Sequence, residues 1–309
     1  MATSAPGGKA AVSNTYRKAR TWLLLPSWLV LGSLSLIPVI LMLVYSFLTK
    51  EFRGGVIWDF SLSAYDQFFF DRGLFGDEPP TIDWTYISIF WRSFWQAGAA
   101  TLLSLVIGFP TAYFIATRPV RTRAIWVFLI TIPYWVNLLI RTVSMKFLLR
   151  DQGPLNEVLI ALGLIDSPLQ IVNTNLAVQL GLFYSYLPFM VLPIYAAVER
   201  YDFSLSEAAA DLYASKWVTL RRILLPVVKP GVIAGCILVF VPSLGSFLAP
   251  DLLGGAKNYM IGSLIEEQFK GNAGNWPFGA AASMILLTIV LIILIVFAQQ
   301  QSRHEQARV

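Results

Sequence analysis

Ala280-Ala281-Ala282-Ser283-Met284-Ile285-Leu286-Leu287-Thr288-Ile289-Val290-Leu291-Ile292-Ile293-Leu294-Ile295-Val296-Phe297 is an unbroken run without one charged side chain. At ~1.5 Å per residue it makes about 27 Å of helix, close to the ~30 Å hydrocarbon thickness of a bilayer. A helix that is apolar on every side is stable only in a large core or in lipid. Composition decides for lipid. Of 309 residues, 56% are hydrophobic and 13% charged, whereas a soluble domain carries roughly 25% charged residues.

Working outward, comparable stretches occupy 22–48, 88–116, 124–147, 176–198 and 227–249, and the quoted run extends to 278–298. The sequence predicts an all-α polytopic membrane protein with about six transmembrane helices and a membrane domain over 22–298. The first span is too long for a signal-peptide core and no A-x-A site follows it, so it reads as a retained anchor. The tails 1–21 and 299–309 flank the domain. Met1 to Asn14 is rich in Ala, Gly and Ser and is expected to be disordered.

Lys and Arg set the orientation. With the N-terminus inside, the inner segments hold Lys9, Arg17, Lys18 and Arg20, then Arg118, Arg121 and Arg123. Arg200, Lys216, Arg221, Arg222, Lys229, Arg303 and Arg308 complete the inner set. The positive-inside rule then places both termini in the cytoplasm. Cations that follow membrane sidedness argue against nucleic-acid binding, despite the net charge of +5. The segment 49–87 becomes a large periplasmic loop. Its acidic residues read equally as a solvated surface or as a docking face.

Several enzyme classes are excluded. One cysteine, Cys236, and one histidine, His304, leave no disulfide, His triad or multi-His metal site. The phosphate-binding pattern G-x-x-x-x-G-K-[ST] is absent, so the chain should not hydrolyse ATP itself. The spans hold almost no acidic residues, which disfavours a proton-coupled carrier. Prolines at 26, 38, 110, 133, 188, 193 and 242 suit kinked helices around a cavity. Gly231 and Gly235 form a G-x-x-x-G pattern that reads either as close helix approach or as chance.

Two polar constellations stand out. In the third span Asn137 and Arg141 share one helix face, just after Pro133, Tyr134 and Trp135. Arg141 would lie about 25 Å along that helix, near the outer face, and could snorkel to water. The plainer reading is an interfacial anchor set. The functional reading is a polar stretch of the translocation path. The second constellation is the inner loop 199–226. Ser204 or Ser206 is positioned to cap a helix, Glu207 falls in its first turn, and an Ala run follows. This predicts a short helix, a turn, and a second helix leading to Pro226.

That loop resembles the E-A-A-x-x-x-G-x9-I-x-L-P motif of ABC importer permeases. Glu207, Ala208 and Ala209 match its start; Ile223, Leu225 and Pro226 match its end; Asp211 lies between. Tyr213 occupies the Gly position, where a left-handed turn would cost a non-glycine residue about 1–2 kcal/mol. Ile132 to Arg141, Gly153 to Glu157, Leu187 to Pro193, Asp251 to Asn258 and Trp276 to Ala281 extend the resemblance. They are similar to the spermidine/putrescine importer permeases, and to the first of that family's two permease subunits. The resemblance implies the type I importer membrane domain in the bacterial inner membrane. It also implies a heterodimer with a second permease subunit, two ATPase subunits on the cytoplasmic face and a periplasmic substrate-binding protein. ATP and Mg would be bound by the ATPase subunits, with no cofactor or metal in this chain. The implied cargo is polyamine. Related permeases carry amino-acid-like compounds, ferric iron or phosphonates, and a non-ABC carrier or channel is the other alternative. For an organic cation, Trp135, Tyr184, Tyr186 and Phe247 would supply aromatic faces and Asp251 an acceptor. Ordinary packing is the plainer reading of each aromatic residue. Arg141 would repel such a cargo unless paired or turned away.

Overall fold

The computed structural model describes residues 8–51, 55–71, 81–255, 257–270 and 274–306. Helix α1 runs from Gly8 to Tyr45. In the segment expected as a loop, β1 (Leu48–Lys50) and β2 (Val56–Phe60) pair antiparallel. Helix α2 (Ser63–Phe69) follows, and β3 (Phe70–Asp71) pairs with β4 (Thr81–Ile82). Then come α3 (Trp84–Ala116), α4 (Val120–Trp135), α5 (Leu138–Leu149), α6 (Pro154–Ala161) and α7 (Asn175–Glu199). Helices α8 (Ser204–Asp211) and α9 (Lys216–Thr219) continue through a π turn, Leu220–Leu224, into α10 (Leu225–Leu244). A second π segment, Pro250–Gly254, precedes α11 (Ile261–Phe269) and α12 (Trp276–Gln306).

Among the described residues five helices are long and apolar enough to cross a bilayer, and six if one bent pair counts as a span. That pair corrects the expected third span. Residues 124–147 are not one helix: α4 and the stretch from Leu138 meet at 92°. Pro133 is tolerated inside α4, whose helix ends at Trp135, and Asn137 starts α5 anew by accepting the Leu139 amide at 2.8 Å. The expected disordered tail needs correction too, because α1 already begins at Gly8. The alanines that suggested low complexity also favour helix. Residues 1–7 of that tail lie outside the described ones.

Helices α3, α7 and α10 pack together as the core. Ala112, Ile115 and Ala116 of α3 are buried against Met190, Val191, Ile194 and Val198 of α7 and Val228 and Val239 of α10. Lipid tails are as apolar as leucine, so helix association there depends on close packing rather than on escape from water. Small residues supply it. A Cβ on Gly235 would meet the Met190 sulfur at 2.9 Å, and one on Gly231 would meet the Pro193 carbonyl oxygen at 2.7 Å. The G-x-x-x-G pattern is therefore the contact line between α10 and α7. Gly108 of α3 approaches Met190 of α7 in the same way.

Helix α1 differs from the rest. Its stretch from Leu24 to Tyr45 buries nothing of its most apolar window within this chain. It packs along α12, where the Tyr45 ring stacks on Trp276 at 6.4 Å.

Candidate coupling surface and the α4–α5 corner

The inner loop forms a defined surface element. The start of α8 is held by Asp202, whose Oδ1 accepts the Ser204 amide at 3.0 Å. The Ser204 hydroxyl and amide both donate to this carboxylate and hold its pKa below the ordinary value. The two serines expected as caps do other work. Ser204 is the first residue of the helix. Ser206 hydrogen-bonds the Tyr201 hydroxyl at 2.7 Å. Ser215 caps α9, accepting the Val218 amide at 3.4 Å.

The end of α8 is a Schellman motif. The Tyr213 amide donates to Ala210 at 2.9 Å and the Ala214 amide to Ala209 at 3.0 Å. Tyr213 takes the left-handed conformation, φ 57°, that glycine would adopt freely. Its side chain is 98% exposed, beside Leu212 at 82% and Trp217 at 67%. Glu207, Ala208 and Asp211 are exposed, while Ala209 is buried. Ile223 and Leu225 are half-buried, and Pro226 opens α10 with its ring exposed. Behind the element a groove of about 590 Å³ is lined by Phe109 and Tyr113 of α3 with Ala210, Lys216 and Leu220. Arg123 of α4 pairs with Glu199, the last residue of α7, at 3.3 Å.

The second constellation lies at the α4–α5 corner. Arg141 does not snorkel to water, since it is 4% exposed. Its guanidinium donates to the carbonyls of Val136 at 2.8 Å and Tyr134 at 3.1 Å, at the end of α4. It also donates to the Ser185 carbonyl in α7 at 3.0 Å. Terminal carbonyls of a helix lack intrahelical partners, and in lipid they must find another donor. Trp135 stands 81% exposed at the corner. Tyr134 lies under the guanidinium at 5.5 Å and edge-on to Phe189 of α7 at 5.0 Å.

Of the remaining candidates, Tyr184 and Tyr186 are half-buried on α7. The Tyr186 hydroxyl donates to the Pro242 carbonyl at 3.4 Å, near the end of α10. Its ring reaches Phe189 at 6.4 Å, so it neighbours the corner. Phe247 and Asp251 lie on the segment after α10. Asp251 is 3.9 Å from Lys270, whose ammonium also contacts Glu266 at 2.5 Å. The Glu266 carboxylate, first among several, raises the Lys270 pKa.

Three contributors were missed in the sequence. Asp202 carried a readable signal, an Asp two residues ahead of a helix start. Ser185 acts through its carbonyl and carried none. The exposed apolar tip of Leu212 and Trp217 was legible only as ordinary loop residues.

Apolar helices around a small-residue core, with one structured element between α7 and α10, define a helical membrane domain. Residues 104–304 match the binding-protein-dependent transport system inner membrane components, and the chain belongs to that family. It is 42% identical over 259 residues to the spermidine/putrescine transport system permease protein PotB of Escherichia coli K12, covering 84% of this chain and 88% of that protein. Against PotB of Haemophilus influenzae it is 38% identical over 275 residues, 89% and 90% of the two chains. The fold also matches a chain of a bacterial ABC transporter that imports alginate, at TM-score 0.64 and 18% identity, covering 96% of this chain and 99% of that one.

Proposed function

We propose that this chain is a permease subunit through which polyamines such as spermidine and putrescine enter the cytoplasm, driven by ATP hydrolysed in partner subunits. The observation that carries the reading is the exposed α8–Tyr213–α9 element. Asp202 holds its start, it presents Glu207, Asp211 and three large apolar side chains, and it lies between the end of α7 and the start of α10. The chain has no phosphate-binding loop, so work must enter through a contact, and this element is built as one. The cargo assignment rests on the names of the relatives. Arg141 is compatible with it, because carbonyl dipoles hold its charge inside the core while Trp135 offers an open aromatic face.

In this reading both termini lie in the cytoplasm. The chain pairs with a second permease subunit as a heterodimer. Two ATPase subunits, holding ATP and Mg, seat on α8 and α9, and a periplasmic binding protein delivers the cargo at the opposite end. The test is uptake by proteoliposomes containing the whole complex. Spermidine-loaded binding protein should stimulate ATP hydrolysis and uptake, whereas neutral sugars and anions should not. Stimulation by an anionic solute and not by polyamine would end the polyamine reading and leave the permease role standing.

A further inference from the structure

We infer that Arg141 is a positioning residue for transport: it fastens the α4–α5 corner to α7, so that movement of α7 carries Trp135 with it. The inference rests on the permease role and not on the identity of the cargo.

Four observations converge on it. The guanidinium is a buried charge, and among the described residues no carboxylate pairs with it. A charge so placed is costly unless it is well hydrogen-bonded. Its partners are three carbonyls, two from the broken end of α4 and one from α7, 44 residues along the chain. Tyr134, whose carbonyl is one of the acceptors, also packs its ring on Phe189 of α7. Finally, α7 ends at Glu199, five residues before α8 begins at Ser204. From Ser185 to Glu199 is about 21 Å of helix. Thus the carbonyl that holds the corner lies on α7, and only residues 200–203 separate the end of that helix from α8.

The guanidinium fork suits this role and an ammonium does not. Its two terminal nitrogens, held in one plane, reach carbonyls on two helices at once, while the buried Nε has no partner; lysine offers a compact point charge on a flexible stem. This separates positioning from a purely electrostatic role. If Arg141 mattered only as a charge facing the cargo, Arg141→Lys would preserve function and Arg141→Met would alter cargo affinity. If it fastens the corner, both substitutions fail alike.

Two measurements test this. In a Cys236→Ser background, Tyr134→Cys with Phe189→Cys reports whether the corner stays on α7, through cross-linking by a short bifunctional thiol reagent. The yield is read on the chain in native membranes and does not require the assembled complex. It should be high with Arg141 and fall severalfold in both Arg141→Lys and Arg141→Met. In proteoliposomes of the whole complex, uptake per ATP hydrolysed should fall severalfold in Arg141→Lys. The concentration of loaded binding protein giving half-maximal uptake should stay within about twofold. Unchanged cross-linking in both variants would overturn the inference, and so would wild-type coupling in Arg141→Lys. Cargo identity does not enter, because each variant is compared with the parent on whatever solute the parent carries.

Discussion

The amide of Ala214 reaches past Tyr213 to the carbonyl of Ala209, 3.0 Å away, so α8 ends in a tight reversed turn at a residue that is not glycine. Tyr213 holds φ at 57° with its ring wholly exposed, and nothing packs on it within this chain to repay the strain. In the proposed reading this strained, exposed ring meets the ATPase subunit.

Replacing Tyr213 by glycine should relieve about 1–2 kcal/mol of backbone strain. Amide exchange across 209–214 should then slow by roughly 5–30-fold, while affinity for the ATPase subunit falls with loss of the ring. Tyr213→Val should do the reverse to exchange, because a β-branched side chain tolerates this backbone worst. Hydrogen-exchange mass spectrometry of the purified chain reads both.

The contact line between α7 and α10 should tolerate no added methyl. Gly231→Ala and Gly235→Ala are each expected to destabilise by about 1–3 kcal/mol, the range for overpacking. Gly32→Ala serves as control, since a Cβ there meets nothing within 4 Å. Thermal unfolding in detergent should show lower midpoints for the first two and none for the third.

Acid should loosen the start of α8 through Asp202. Its folded pKa lies below the unfolded value, so its contribution is present above the ordinary carboxylate range and is lost as pH falls through the lowered value. The group is exposed and the effect small. Protection of the Ser204 amide, taken as the ratio of parent to Asp202→Asn, should shrink towards one in that acid window. A ratio that does not change with pH would remove Asp202 from the cap.

The six apolar runs were legible because a bilayer demands ~20 apolar residues per crossing whatever the tertiary fold. The existence of the α8–α9 element was legible from the Ala run and from Pro226, but its start was not, because Asp202 and not Ser204 or Ser206 holds it. The 92° corner was not. Pro133 in an apolar run reads the same whether a helix bends slightly or breaks, and what settles it is Arg141 bonding to a carbonyl 44 residues away. Hydrophobic period carries no information about such a pair. Gly231 and Gly235 fitted close approach and chance equally, and only the structure shows the approach and the helix that makes it. The N-terminal alanines fit disorder by composition and helix by propensity, and the structure takes the second from Gly8 onward.

Orientation is open to direct chemistry. In a Cys236-free background, single cysteines at Arg121 and Lys216 should resist a membrane-impermeant thiol reagent in intact spheroplasts, and one at Asp166 should label rapidly. Rapid labelling at position 121 would invert the assigned topology.

The claim that α8 and α9 couple ATP hydrolysis to transport has one decisive measurement: ATPase co-purification together with uptake for Glu207→Ala and for deletion of Ala210. Glu207 is exposed in the first turn of α8, so its loss leaves the fold intact while removing an acceptor for a charged donor on the ATPase. Deleting Ala210 rotates the residues that follow by about 100° and displaces the carbonyl that accepts the Tyr213 amide. Membrane insertion and cargo capture by the binding protein should survive both changes. Uptake should fall in the first variant, and both uptake and ATPase retention should fall further in the second. Full ATPase retention with parental uptake in both would contradict the account.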